Sequence, residues 1–168
     1  TDYDDSVKEE AIWDGITSDK SWYDSSKNIF ELSTAKELKG FQQLVAGGVT
    51  FYNKEIKIVA NIDLAFHDWV PVGEIYKVSS EESEEIPYSK YDIAIDDKHV
   101  FKGTFNGGGH IIYGLKIKPD NECCNFYGFF LGLKEAIIKN VVFADVSLKS
   151  NNSAISYSAV TGVAENCI

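Results

Sequence analysis

The chain has no arginine: all sixteen of its basic residues are lysine. A lysine ammonium is a point charge, without the planar fork that grips a phosphate or a guanine edge through paired hydrogen bonds, and this argues against specific nucleic-acid recognition. Long apolar runs are missing too. The longest candidates, Gly128–Leu133 and Val141–Val146, are strand-sized, far short of the roughly 20 residues a membrane helix needs, so no direct membrane insertion is expected. Cysteine is scarce, at three residues. Cys123 and Cys124 are adjacent, a spacing that rarely bonds internally, and a zinc site would want spaced ligands. That leaves either a bond from one of them to Cys167 or free thiols packed as small apolar groups. The chain opens at Thr1 with neither a methionine nor a signal segment, which suggests a processed or engineered start.

Acid, by contrast, is plentiful and uneven. The net charge is −10; residues 1–24 carry eight acids and two lysines, residues 74–97 carry the same, and the remainder is close to neutral. Two acidic surface segments therefore flank a nearly neutral body, the ordinary arrangement for solvated loops and a candidate one for partner or cation binding. Residues 1–26 form a lead-in in which Trp13, Trp22 and Tyr23 are set into turn-forming Asp, Gly and Ser. Residues 27–50 read as a short strand and the clearest helix of the chain. Ser33 or Thr34 serves as its cap, Thr34 and Glu37 have capping-box spacing, and Leu38, Phe41, Leu44 and Val45 recur on one face before Gly47-Gly48 stops it.

From residue 51 the pattern turns to strands. Glu55 to Val59 alternates, Ile62 and Leu64 share a face, Trp69 is a core candidate, and Pro71 stands at a strand start or edge. Residues 75–99 interrupt as an acidic insertion with one hairpin near Tyr91 to Ile95. Two similar segments follow. In the first, Phe101, Phe105, Ile111, Leu115 and Ile117 point inward, with Gly103, Gly107, Gly108, Gly109 and Gly114 at corners; in the second, Phe129, Leu131, Ile137, Val141, Phe143, Val146 and Leu148 take the inward places and Asn140 a corner. Segments of this length cannot bury their own apolar faces and must stack.

The ordered series Ser33-Thr-Ala-Lys-Glu-Leu, Asn61-Ile-Asp-Leu, Trp69-Val-Pro-Val-Gly, Phe101-Lys-Gly-Thr-Phe-Asn-Gly-Gly-Gly-His-Ile-Ile-Tyr-Gly-Leu, Tyr127-Gly-Phe-Phe-Leu-Gly and Ile138-Lys-Asn-Val-Val-Phe resembles the start of the GLUG-type domains of bacterial surface and secreted proteins. The likeness runs from about Trp13 to the C-terminus. It departs at Asn61, where the family usually has Asp, and in the length of the acidic insertion. The resemblance implies an all-β, right-handed parallel β-helix, or solenoid, with an N-terminal amphipathic capping helix and its coils over residues 51–168. The absence of a polar cap after Ala154 to Ile168 predicts a longer parent chain, or pairing of the open end with another copy.

No catalytic constellation stands out. His67, His99 and His110 lie in or beside turns, and Gly107-Gly-Gly-His lacks the Lys-Ser/Thr of a phosphate loop. Asp63, Asp68 and Asp145 near the repeat strands are the candidate acids of a carbohydrate-active enzyme, if they converge on one face. Asp92, Asp96 and Asp97, beside Glu84 and Glu85, are candidate oxygen ligands for calcium, without the glycine and spacing of a recognised calcium loop. Tyr76, Tyr88 and Tyr91 are the candidate ligand-stacking residues. The expected function is that of an extracellular, cell-surface or secreted module, adhesive, ligand-presenting or spacing, with a glycan or a host or cell-surface protein as partner and no required cofactor. The alternatives are part of a carbohydrate-active enzyme or the accessory region of a secreted protein resembling immunoglobulin A peptidases.

Overall fold

The computed structural model of the chain describes residues 11–78, 92–117, 126–148 and 156–168. β1 (Ile29–Leu32) turns Phe30 and Leu32 inward and leaves Ile29 and Glu31 in solvent, the alternation of a strand with one buried face. It runs directly into α1 (Ala35–Ala46), whose cap is Thr34. The Thr34 hydroxyl accepts the Glu37 amide at 3.3 Å, while the Glu37 carboxylate accepts the Ser33 and Thr34 amides at 2.8 and 2.9 Å. Donors left over at a helix start are thus satisfied, an arrangement worth about 1 kcal/mol.

Leu38, Phe41 and Val45 of α1 are sealed from solvent and Leu44 is half-buried. The Phe41 ring lies within 6.4 Å of the rings of Phe51, Phe101, Phe105 and Phe130. Gly40 is required by a close approach: a Cβ there would stand 1.8 Å from the Asp19 carbonyl oxygen. The lead-in is fastened at this point, through Asp19 N–H to the Lys36 carbonyl (2.9 Å) and the Trp22 indole N–H to the Asp19 carbonyl (2.8 Å). Trp22 and Tyr23 then pack on Phe30 and Phe51.

The remaining elements are short strands. They are β2 (Glu55–Ile58), β3 (Ile62–Asp63), β4 (Asp68–Trp69), β5 (Ile75–Val78) and β6 (Asp92–Ile95), then β7 (Thr104–Asn106), β8 (Ile111–Tyr113), β9 (Lys116–Ile117) and β10 (Phe126–Tyr127). The last group is β11 (Phe130–Lys134), β12 (Ile137–Lys139), β13 (Val142–Ala144), β14 (Ser147–Leu148), β15 (Ser156–Tyr157) and β16 (Thr161–Glu165). Five sheets are parallel, ordered β1-β2-β7-β12, β3-β8-β13, β4-β9-β14, β11-β16 and β10-β15; the sixth, β5-β6, is antiparallel. The register lines up apolar residues across successive passes of the chain: Ile56, Phe105 and Ile138; Ile62, Ile112 and Phe143; Trp69, Ile117 and Leu148.

The expected all-β, right-handed parallel β-helix is corrected by this arrangement. The described residues fall into six separate small sheets, parallel and antiparallel, and a 12-residue helix whose Phe41 lies inside the core. The physical reason is the brevity of the strands. Corners recur every few residues, several at non-glycine positions with positive φ such as Ala65, Glu135, Asn140 and Asp145, so each pass of the chain is divided among separate small sheets. β5 and β6 turn back on each other altogether. Glycine and apolar residues at a fixed spacing encode parallel contact between passes; they do not by themselves dictate a regular superhelix.

Gly107 shows how close the passes come. A Cβ on it would meet the Asn140 carbonyl oxygen at 2.2 Å, and its N–H bonds the Lys139 carbonyl at 2.9 Å. At the far side of the core Trp69 stacks on Phe129, with centroids 4.9 Å apart and planes 9° from parallel, and its indole N–H donates to the Phe129 carbonyl.

Candidate functional site at the base of the hairpin

β5 and β6 pair with Ile75 opposite Ile95 and Tyr76 opposite Ala94. Ile75 and Ile95 face the body, where with Val100 they form a small core of their own against Leu131 and Val163. Two glycines let the hairpin lie flush. A Cβ on Gly132 would stand 3.0 Å from Ile75 and 3.3 Å from Ile95, and one on Gly73, whose φ is +89°, would meet the Gly132 carbonyl at 2.7 Å. Tyr76 points the other way and is 51% exposed.

The chain enters and leaves the hairpin at one point. Glu74 N–H donates to the His99 carbonyl at 2.8 Å, and Asp96 N–H donates to the Glu74 carbonyl at 3.1 Å. Asp96 then folds over its own turn, its Oδ1 accepting the Lys98 and His99 amides at 2.7 and 3.2 Å. Its Oδ2 lies 3.2 Å from His99 Nδ1, and Glu74 Oε2 lies 3.7 Å from the same nitrogen. The Lys98 amide, and after it the His99 imidazole, hold the Asp96 carboxyl below its ordinary value, because each stabilises the charged form. Glu74, Asp96 and His99 each offer one ligand atom, all within 4.8 Å of one another.

Asp97 goes elsewhere. Its carboxylate lies 3.0 Å from Lys134 Nζ and 3.1 Å from Lys102 Nζ. Lys134 first, and then Lys102, keep it below its ordinary pKa, and Asp97 in turn raises Lys134. Of the carboxylates expected to gather around a cation, the structure therefore brings Asp96 to Glu74 and His99 and gives Asp97 to two lysines. Asp92 is placed by its main chain alone, opposite Val78. Tyr88, Tyr91, Glu84 and Glu85 lie outside the described residues, as do Cys123 and Cys124. Cys167 is a half-buried free thiol whose Sγ is 3.3 Å from the Glu165 carbonyl oxygen.

The acids weighed for glycosidic chemistry are dispersed. Asp63 is buried and accepts the Ala65 amide at 2.6 Å, which supports the positive-φ corner at Ala65 and Phe66. Asp68 pairs with Lys116 at 2.7 Å. Asp145 is an exposed corner residue following β13, two strand spacings, about 10 Å, from β3. The His67 and Trp13 rings meet nearly at right angles, with centroids 5.9 Å apart.

Sequence reasoning passed over Glu74 and His99. The signal was the register: once Ile75 is set opposite Ile95, Glu74 must sit beside Asp96, and His99 follows three residues later on the same turn. Among the described residues no helix is long and apolar enough to cross a membrane. Comparison with family models, with curated proteins and with solved structures gives no match.

Proposed function

We propose that the chain is an extracellular binding module in which the body anchors both ends of the 75–99 segment and that segment meets a glycan or a cell-surface protein, as an adhesive or ligand-presenting element of a bacterial surface or secreted protein. One observation carries the reading. Tyr76 stands half-exposed on a hairpin whose opposite face is anchored by Ile75 and Ile95 and whose base is tied by main-chain hydrogen bonds. An exposed aromatic on a fixed strand can stack on a sugar or a partner side chain with little entropy left to lose. The acid of the same segment adds a charge that a basic partner would meet first. The extracellular, bacterial setting rests on the resemblance of the sequence to the GLUG-type domains.

The test is a glycan and host-matrix array probed with three proteins: the chain, its Tyr76→Ala variant, and a version in which residues 79–91 are replaced by a short Gly-Ser link. The reading expects binding by the first and its loss in the other two. Binding that survives both changes would move the site off the hairpin, and no binding by the unaltered chain would leave a spacer.

A further inference from the structure

We propose that Glu74, Asp96 and His99 form a binding site for a divalent first-row transition-metal ion, of which zinc is the representative case, at the base of the hairpin. Three observations support it, and none depends on the ligand-presenting reading above.

The first is spacing. Ligands bound tetrahedrally at 2.0–2.1 Å lie about 3.4 Å from one another. The two carboxylate oxygens stand 3.2 and 3.7 Å from His99 Nδ1, which brackets that value, so an ion could replace the Nδ1 proton with only small side-chain movement.

The second is preorganisation. Asp96 is pinned by two amides of its own turn, and Glu74 and His99 are joined through the main chain. The ligand-bearing segments are thus already assembled, which lowers the ordering cost of binding. Neighbouring Asp97 has its charge matched by Lys102 and Lys134, so the two free carboxylate charges at the site equal those of a dication.

The third is ligand chemistry. An imidazole nitrogen with two carboxylates suits zinc, cobalt or nickel, whereas calcium and magnesium favour all-oxygen shells. The Glu74 and His99 side chains are 55% and 35% exposed. The site is therefore reachable from solvent and would keep a coordination position for water. Binding displaces the Nδ1 proton, so acid should weaken it.

The experiment is calorimetric titration of the chelator-stripped chain with zinc chloride and, separately, calcium chloride. It is repeated on His99→Ala, on Glu74→Gln and on a variant with all three cysteines changed to serine, each checked for folding by circular dichroism. The proposal expects one zinc per chain, no heat with calcium, at least about tenfold weaker zinc binding in the first two variants and unchanged binding in the third. A second measurement needs no substitution: the His99 ring resonances should shift on zinc addition. No zinc binding, binding indifferent to His99 and Glu74, or binding lost only with the cysteines would overturn the site and leave a hydrogen-bonded Asp–His pair.

Discussion

Phe105, Ile112 and Ile117, on β7, β8 and β9, are 0–1% exposed, whereas their register partners one strand farther out, Ile138, Phe143 and Leu148, are only half-buried. Both passes carry apolar residues at matching places. The inner one has strands on both sides, β2, β3 and β4 before it and β12, β13 and β14 after it. The outer one has a described neighbour strand on a single side of each of these three sheets. On the opposite flank, the edge of β3 is covered by the lead-in: Ile12 bridges Asp63, and Trp13 N–H donates to the Asp63 carbonyl at 2.8 Å. Burial in this molecule is set by how many passes enclose a residue, and stability should be graded accordingly.

The sharpest way to break that comparison is to empty one site in each pass. Phe105→Ala should cost about 3–5 kcal/mol, as truncation of a sealed phenylalanine does. Phe143→Ala should cost about 1–2 kcal/mol, since part of its ring is already in water and the gap can fill. Denaturant melts of the two variants measure both, and equal losses would end the idea of a graded core.

A smaller effect comes from the seam between the passes. In an open helix or turn, glycine to alanine is mild or stabilising where φ is ordinary. Gly107→Ala should instead lose about 1–3 kcal/mol, because the added carbon meets the Asn140 carbonyl oxygen and the Val141 Cα at 2.2 and 2.7 Å. Hydrogen exchange locates the damage. Amides of β12 and β13 should exchange faster while those of β1 and β2 stay protected, and uniform acceleration would mean that the passes unfold as one unit.

The smallest effect concerns the covered edge. The Asp14 carboxylate accepts the Ile16 amide, the Thr17 amide and the Thr17 hydroxyl at 2.8–2.9 Å, which lower its pKa to about 2. A folded value below the unfolded one means that its contribution is complete above about pH 4 and is lost as the pH falls toward 2. Asp14 lies in solvent, so the loss is modest and confined to the turn after Trp13. All three tryptophans are at residues 13, 22 and 69, so their emission reports this flank. In an acid titration it should change between about pH 4 and 2, and Asp14→Asn should reduce that change. An identical titration in the variant would assign the transition to other carboxylates, Asp19 and Asp24 being held low by Ser21 and Ser26.

Local signals in the sequence carried far. The capping pair Thr34 and Glu37, the face of Leu38, Phe41 and Val45, the strand at Glu55 and the burial of Trp69 all follow from spacing within one element. The glycines differ in cause: Gly109 takes positive φ in open space, Gly103 and Gly107 make room for another stretch of backbone, and Gly108 and Gly114 do both, a distinction invisible without the partner. Registers were harder. Ile112 rather than Ile111 fills the core, because Gly107-Gly-Gly-His hides where β8 begins and a slip of one residue reverses a strand's face. Ile137 is 39% exposed while Phe130 and Leu133 are sealed. The candidate site suffered the same way. Glu74 and His99 are 25 residues apart in sequence, and only the closure of the hairpin makes them neighbours.

That closure has a consequence for what the segment between can be. The hydrogen bond from Glu74 to the His99 carbonyl fixes the two ends of residues 75–98 side by side, and Ile75 and Ile95 pack on the body, so the body meets the same anchor whatever runs between Val78 and Asp92. The entropy of closing a loop grows only with the logarithm of its length. Sequence can therefore be lengthened, shortened or exchanged beyond Val78 and before Asp92 with little change to the stacked strands. In mechanical terms the body is a socket, and its fit depends on the two ends plugged into it rather than on the length of chain between them.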